Sequence, residues 1–134
     1  MAVVALLLSL YQVPISQQVS VFKCIPQHSS ILTSDPNNIK DCNIFIVTVP
    51  TPINEDKSPD LRPIEASSEL IGGLMIKSSI VIFESTVYPG VTDDICTPIL
   101  EKKSNLVFNK DFSTGYSPER IVPGDKVNTI EKIK

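Results

Sequence analysis

Two runs of β-branched and aromatic residues, 42–49 (CNIFIVTV) and 79–83 (SIVIF), constrain this chain more than any other feature. Each has the length of a strand and little polar alternation, which is the pattern of a strand buried on both faces of a parallel sheet. Parallel neighbours need a crossover connection, usually a helix. The intervening segment supplies one: Pro63 suits a helix's first turn, Glu65 falls in that turn, and Ile64, Leu70, Ile71, Leu74 and Met75 share one helical face. Gly72 and Gly73 weaken that helix by about 1 kcal/mol each relative to Ala, so they either permit close packing or mark a frayed end.

The same alternation continues past residue 83. Thr92 followed by Asp93 and Asp94 predicts a helix start, with a hydroxyl cap and acid at the positive end of the dipole. Val91, Ile95, Ile99 and Leu100 make its apolar stripe, and Leu106, Val107 and Phe108 predict a third strand, with a loop from Asn109 onward. Strand, helix, strand, helix, strand indicates an α/β fold, an incomplete Rossmann-like parallel sheet flanked by helices. Ligands of such sheets bind beyond the carboxyl ends of the strands, which places 48–52, 84–90 and 117–124 along one rim. Toward the N-terminus the pattern is less regular. Residues 2–10 are continuously apolar and fit a buried helix or a strand, 19–22 suit a strand, and Asp35, Pro36, Asn37 and Asn38 form a turn cluster.

Composition narrows the partners. At 134 residues the chain holds one ordinary domain. A net charge of -3 with scattered Lys and Arg leaves no basic footprint for nucleic acid. Cys24, Cys42 and Cys96 show no CxxC spacing, so neither a disulfide framework nor a metal site is expected and a reducing cytoplasm fits. The apolar run 2–10 is about half the ~20 residues of a membrane span and has no Lys or Arg before it, so neither a membrane anchor nor a signal peptide is expected. Glycines occur only at 72, 73, 90, 115 and 124, which excludes a GxGxxG phosphate loop in this chain.

Three groups at the expected rim could carry chemistry, and each has a plainer reading. Thr51, fixed between Pro50 and Pro52, offers a hydroxyl and an amide to a ribose or phosphate, or it merely ends a strand. Glu84, Ser85 and Thr86 combine a carboxylate with two hydroxyls. Thr86 could position a water or substrate hydroxyl at about 3 Å for proton transfer, or the pair could only satisfy the turn. Glu119 could act through water as a base while Arg120 offers a fork to an anion, or the two could form a surface ion pair. Cys42 and Cys96 fall on apolar elements and read as small core residues; Cys24 and His28 lack further partners for metal or nucleophilic chemistry.

Taken together, the segments VTVPTPI (47–53), PDL (59–61), IVIFESTVYPGVT (80–92), CTPILE (96–101), FNKDF (108–112) and GYSPERIVPGDK (115–126) resemble the UDP-glucose/GDP-mannose dehydrogenase family. The likeness is strongest to its UDP-N-acetylhexosamine 6-dehydrogenase branch, which serves surface-polysaccharide biosynthesis. It runs from about Leu32 to the C-terminus. The resemblance implies NAD as cofactor and a UDP-sugar such as UDP-N-acetylglucosamine as substrate. The reaction is oxidation of the sugar C6 alcohol to a carboxylate, with two NAD consumed and a cysteine-linked intermediate hydrolysed. It further implies that Pro50, Thr51, Pro52, Ser85 and Thr86 bind the cofactor, that Thr86 and Glu119 are catalytic, and that Glu119 and Arg120 contact substrate.

Residues 1–30 depart from the family pattern, and so do the missing glycine turn and the absence of the family's cysteine motif. The expectation is therefore a divergent or non-native segment 1–30, followed by the C-terminal part of an NAD-binding Rossmann-like domain at 31–134. As a fragment of a dehydrogenase, it would be inactive alone. Open sheet edges favour association, so a homo-oligomer stays open. Two other readings remain: a non-catalytic α/β binding or interaction module, and a Rossmann dehydrogenase acting on a small acid.

Overall fold

The computed structural model describes residues 4–9, 20–25 and 31–118. Among the described residues six strands form one sheet in the order β3-β2-β1-β4-β5-β6. They are β1 (Val4–Ser9), β2 (Ser20–Ile25), β3 (Ile31–Thr33), β4 (Ile44–Val47), β5 (Ser79–Phe83) and β6 (Phe112–Tyr116). β1, β4, β5 and β6 run parallel, whereas β2 pairs antiparallel with both β1 and β3. The apolar run near the N-terminus thus forms a strand, and its helical alternative does not occur.

The crossover from β4 to β5 is α1 (Arg62–Leu74), with Pro63 in its first turn as expected. The crossover from β5 to β6 starts as a π-helical turn, Val91–Cys96, and continues as α2 (Thr97–Ser104). The side chains that alternate along the strands sort by face. Phe45, Val47, Val81, Phe83 and Phe112 are buried, and they form one core with Ile64, Ile71, Val91, Cys96 and Leu100. Burial on both faces was expected for β4 and β5, yet Ile44, Ile46 and Ile82 are only half-buried and Ile80 is exposed. Among the described residues the core lies on a single face of the sheet.

Three local expectations change. Thr92 does not cap the second helix: Gly90 occupies the cap with φ 97°, no side chain bonds there, and the Thr92 carbonyl instead accepts a bond from Thr97 Oγ1 at 2.8 Å. Only glycine suits that left-handed position, and a Cβ there would lie 2.8 Å from Asp94 Oδ2. The third strand lies at Phe112–Tyr116 rather than at residues 106–108. Asn105 ends α2 with φ 57°. The next amides are then spent on a compact turn: Val107 N–H donates to Asp111 Oδ2 and Phe108 N–H to Glu101 Oε1. Leu106 and Phe108 consequently pack against the core instead of joining the ladder, apart from one bridge between Phe108 and Phe112. Finally, β4 is shorter than the run 42–49, because Cys42 closes the preceding 3-10 turn through Ile39 and residues 48 and 49 have already left the ladder.

Gly72 explains how α1 and α2 approach each other. A Cβ at that position would lie 2.7 Å from Lys103 Cβ and 3.3 Å from the Leu100 carbonyl, whereas nothing lies within 4 Å of one built on Gly73. The two glycines therefore answer oppositely to the same substitution. Gly73→Ala should stabilise the chain by up to about 1 kcal/mol through helix propensity. Gly72→Ala should lose about 1–3 kcal/mol through overpacking, despite the same propensity gain. Urea denaturation of the pair tests this, and equal shifts would refute the packing role of Gly72.

Candidate functional site at the carboxyl rim

Parallel pairing fixes where the strands end. Val47 is registered with Phe83, and Phe83 with Tyr116, so β4, β5 and β6 finish level with one another. The backbone extends this alignment one step into the loops. Glu84 N–H donates to the Val47 carbonyl at 2.8 Å, and Ser117 N–H donates to the Phe83 carbonyl at 2.9 Å. Residues 48–52 and 84–90 thus share one rim, as the sequence pattern predicts, and Ser117 begins the third loop beside them. Glu119 and Arg120 lie outside the described residues.

Between the first two loops lies a cleft of about 440 Å³ lined by Thr48, Val49, Pro50, Thr51, Glu84, Ser85 and Thr86. Pro50, Thr51, Ser85 and Thr86 are brought together there, and Pro52 follows directly. Their roles differ. Ser85 is buried, and its hydroxyl donates to the Val49 carbonyl at 2.6 Å. Thr86 is exposed at the mouth, as is Glu84. Thr51 Oγ1 is the one buried side-chain polar atom among the described residues without a hydrogen-bond partner. A buried hydroxyl left unpaired costs about 1–3 kcal/mol, which is unusual enough to require a reason. A polar ligand in the cleft would supply its missing partner. A cavity of a few hundred Å³ with a few polar groups is also of ordinary binding-site size.

The loop holding Thr51 is closed at its base. Asp60 N–H donates to the Pro52 carbonyl at 2.7 Å, Ile53 bridges Pro59, and Asn54 N–H donates to Ser58 O at 2.9 Å. Asp60 is buried, and its carboxylate accepts from Arg62 N, Nε and Nη2 at 3.0, 2.8 and 2.6 Å. It thereby serves the start of α1 and the base of the rim loop together. Sequence reasoning named Asp60 within the PDL segment, with Asp60 or Leu61 just outside the start of the first helix, but gave it no part in closing the rim loop. Tyr116, at the end of β6, reaches across to the second loop, where its hydroxyl donates to Val87 O at 3.3 Å.

The reading of Cys42 and Cys96 as core residues holds. Cys42 and Cys96 are fully buried core residues, and burial pushes the Cys96 thiol above its ordinary value, which disfavours a thiolate. Among the described residues no group of three or more His, Cys, Asp and Glu could hold a metal ion. No helix among them is long and apolar enough to cross a membrane.

Comparison with known proteins bears on the family and the fold. Residues 16–134 match the family model described as UDP-glucose/GDP-mannose dehydrogenase family, NAD binding domain. The UDP-N-acetyl-D-glucosamine 6-dehydrogenase of Pseudomonas aeruginosa is 57% identical over 102 residues, which is 76% of this chain and 24% of that protein. The enzyme of the same name from Salmonella typhi is 53% identical over 102 residues, again 76% of this chain and 24% of that protein. Among solved structures, a UDP-D-ManNAc dehydrogenase from Pyrococcus horikoshii superposes with TM-score 0.63 at 35% identity, covering 69% of this chain and 22% of that one. The present chain spans about a quarter of the length of the curated relatives it matches.

The Asp60 carboxyl is held below its ordinary value, first by the hydrogen bond from the Arg62 side chain, against an opposing effect of burial. The unfolded chain therefore takes up a proton before the folded chain does. Stability from this group is present above the ordinary carboxylate range and is lost as pH falls through the depressed one. Asp60→Asn should lower the urea midpoint at neutral pH and flatten its decline on acidification. An unchanged slope between neutral and acid pH would show that Asp60 does not tie the loop.

Proposed function

We propose, for a chain that belongs to the UDP-glucose/GDP-mannose dehydrogenase family, that its carboxyl rim is the cofactor-side part of an NAD-dependent UDP-sugar 6-dehydrogenase active site. The observation that carries this reading is the buried, unpartnered Thr51 Oγ1, set in a cleft at the ends of two parallel strands. Pro50 and Pro52 hold Thr51 against the cofactor, and Ser85 and Thr86 make up its nicotinamide side. When bound there, NAD accepts the hydride removed from the sugar. Thr86, exposed at the mouth, orients the water that assists oxidation; Glu119 acts on the reacting carbon, and Arg120 holds the substrate. High identity to UDP-N-acetyl-D-glucosamine 6-dehydrogenases favours a UDP-N-acetylhexosamine as the sugar nucleotide. The setting is then cytoplasmic polysaccharide biosynthesis.

Residues 31–134 constitute the C-terminal part of the NAD-binding domain in this reading, and residues 1–30 are divergent. The family model reaches back to residue 16, so residues 16–30 fall within the matched span. The 134-residue polypeptide by itself carries out no oxidation. It has no glycine turn for the pyrophosphate, and no cysteine in the family's nucleophile motif. Nor does either crossover helix substitute for that turn. Glu65 stands in the first turn of α1, and Asp93 and Asp94 in the first turn after Gly90, where each repels an anion.

Incubating the purified chain with NAD and UDP-N-acetylglucosamine should yield no measurable NADH, and calorimetry should find NAD affinity weaker than micromolar. Robust NADH production, or sub-micromolar binding, would overturn this account. A non-catalytic interaction module predicts instead that millimolar NAD leaves Thr51 and Thr86 unperturbed.

A further inference from the structure

We infer that Ser85 is a positioning residue: it serves the proposed cofactor site by locking the loop that presents Thr51, and does not itself donate to the cofactor. The inference rests on the reading of the cleft as a cofactor rim. A serine hydroxyl has one proton to give. Here its partner is a carbonyl, which can only accept, so that proton lies on Val49 O at 2.6 Å. Ser85 lines the same cleft as Thr51, so what distinguishes the two hydroxyls is that the proton of Ser85 is already committed to Val49 O, whereas Thr51 Oγ1 has no partner.

What the bond fixes follows from backbone geometry. Val49 C=O belongs to the peptide joining Val49 to Pro50, and no described peptide is cis. Anchoring that carbonyl to the start of the β5 loop therefore sets the orientation of a rigid plane relative to a neighbouring strand. The next torsion, φ of Pro50, is locked by its ring near about -65°. Two bonds later Pro52 confines Thr51 to extended backbone. Between the anchored plane and the Thr51 side chain only ψ of Pro50 and φ of Thr51 stay soft. At the other end, Asp60 N–H holds the Pro52 carbonyl at 2.7 Å. The segment is thus clamped on both sides of Thr51, by contacts that span 36 residues through Ser85 and eight through Asp60.

This division of labour also explains why two adjacent hydroxyls on the β5 loop are so unlike. Ser85 points its proton inward to the Val49 loop, whereas Thr86 stays exposed. The buried hydroxyl left free for a ligand is that of Thr51, not that of Ser85.

Nuclear magnetic resonance on the full 134-residue chain tests the inference with two readouts, the backbone order parameter of Thr51 and its shift during titration with NAD into the millimolar range. In the native chain Thr51 should be rigid, with an order parameter near about 0.85. Ser85→Ala should bring it below about 0.6 and weaken NAD binding roughly fivefold to tenfold, and Ser85→Thr, which keeps the hydroxyl, should restore both. Ser85→Cys, a weak donor of similar size, serves if the alanine variant does not fold and should give the same loosening. If Thr51 stays rigid in these variants, the inference is overturned, whether NAD affinity falls, as for a direct contact, or is unchanged. Absence of any NAD-induced shift in the native chain would sink the cofactor-rim reading instead, and the order parameters would still decide whether Ser85 locks the loop.

Discussion

The parallel register of β4, β5 and β6 is the constraint on which the rest of this structure depends. Because Val47, Phe83 and Tyr116 are in line, the three loops that follow leave the sheet at one level and on one side. Two backbone bonds, Glu84 N–H to Val47 O and Ser117 N–H to Phe83 O, carry the alignment past the last strand residues. A slip of one residue would turn Phe45 and Val47 away from the core formed with α1 and α2, so burial and rim geometry are specified together. The cleft at Thr51 and Thr86 lies where that register ends, and the bonds from Ser85 and Asp60 fix the Thr51 loop on one side of it.

Much of this was legible in the chain, for physical reasons that differ by element. β5 coincides with residues 79–83, since that run has the length and the β-branched and aromatic content of a strand. Pro63 fixed the start of α1 to within one residue because proline is tolerated there and not further in. The rim itself followed from the prolines that come after the first apolar run and from the rule for strand carboxyl ends.

The misplaced elements were those decided by side chains bonding to backbone or by a glycine's left-handed conformation. Leu106, Val107 and Phe108 have strand composition, yet Asp111 and Glu101 take the amides of Val107 and Phe108, and the ladder forms at Phe112–Tyr116, where Ser113 and Gly115 concealed it. Thr92 has the composition of a cap, but Gly90 reaches a backbone conformation that threonine rarely adopts and takes the role. At the site, the residue types were readable while their division was not. Sequence treats Ser85 and Thr86 as a pair, and only the fold shows that one hydroxyl is already committed to Val49. The loop-closing role of Asp60 was not readable, because its bonds to Pro52 and Arg62 matter only once the loop is seen to close on itself.

Residues 16–134 match the model of an NAD-binding domain, and among the described residues the structure leaves one buried hydroxyl, Thr51 Oγ1, without a partner beside the carboxyl-rim cleft. The most direct test of the central claim is a crystal structure of the chain grown or soaked with NAD at tens of millimolar. The account predicts cofactor density over the carboxyl ends of β4 and β5, with Thr51 Oγ1 within hydrogen-bonding distance of it. Cofactor bound instead at the opposite edge, in the cleft between Ser78 and Ser113, with Thr51 still unpartnered, would contradict it.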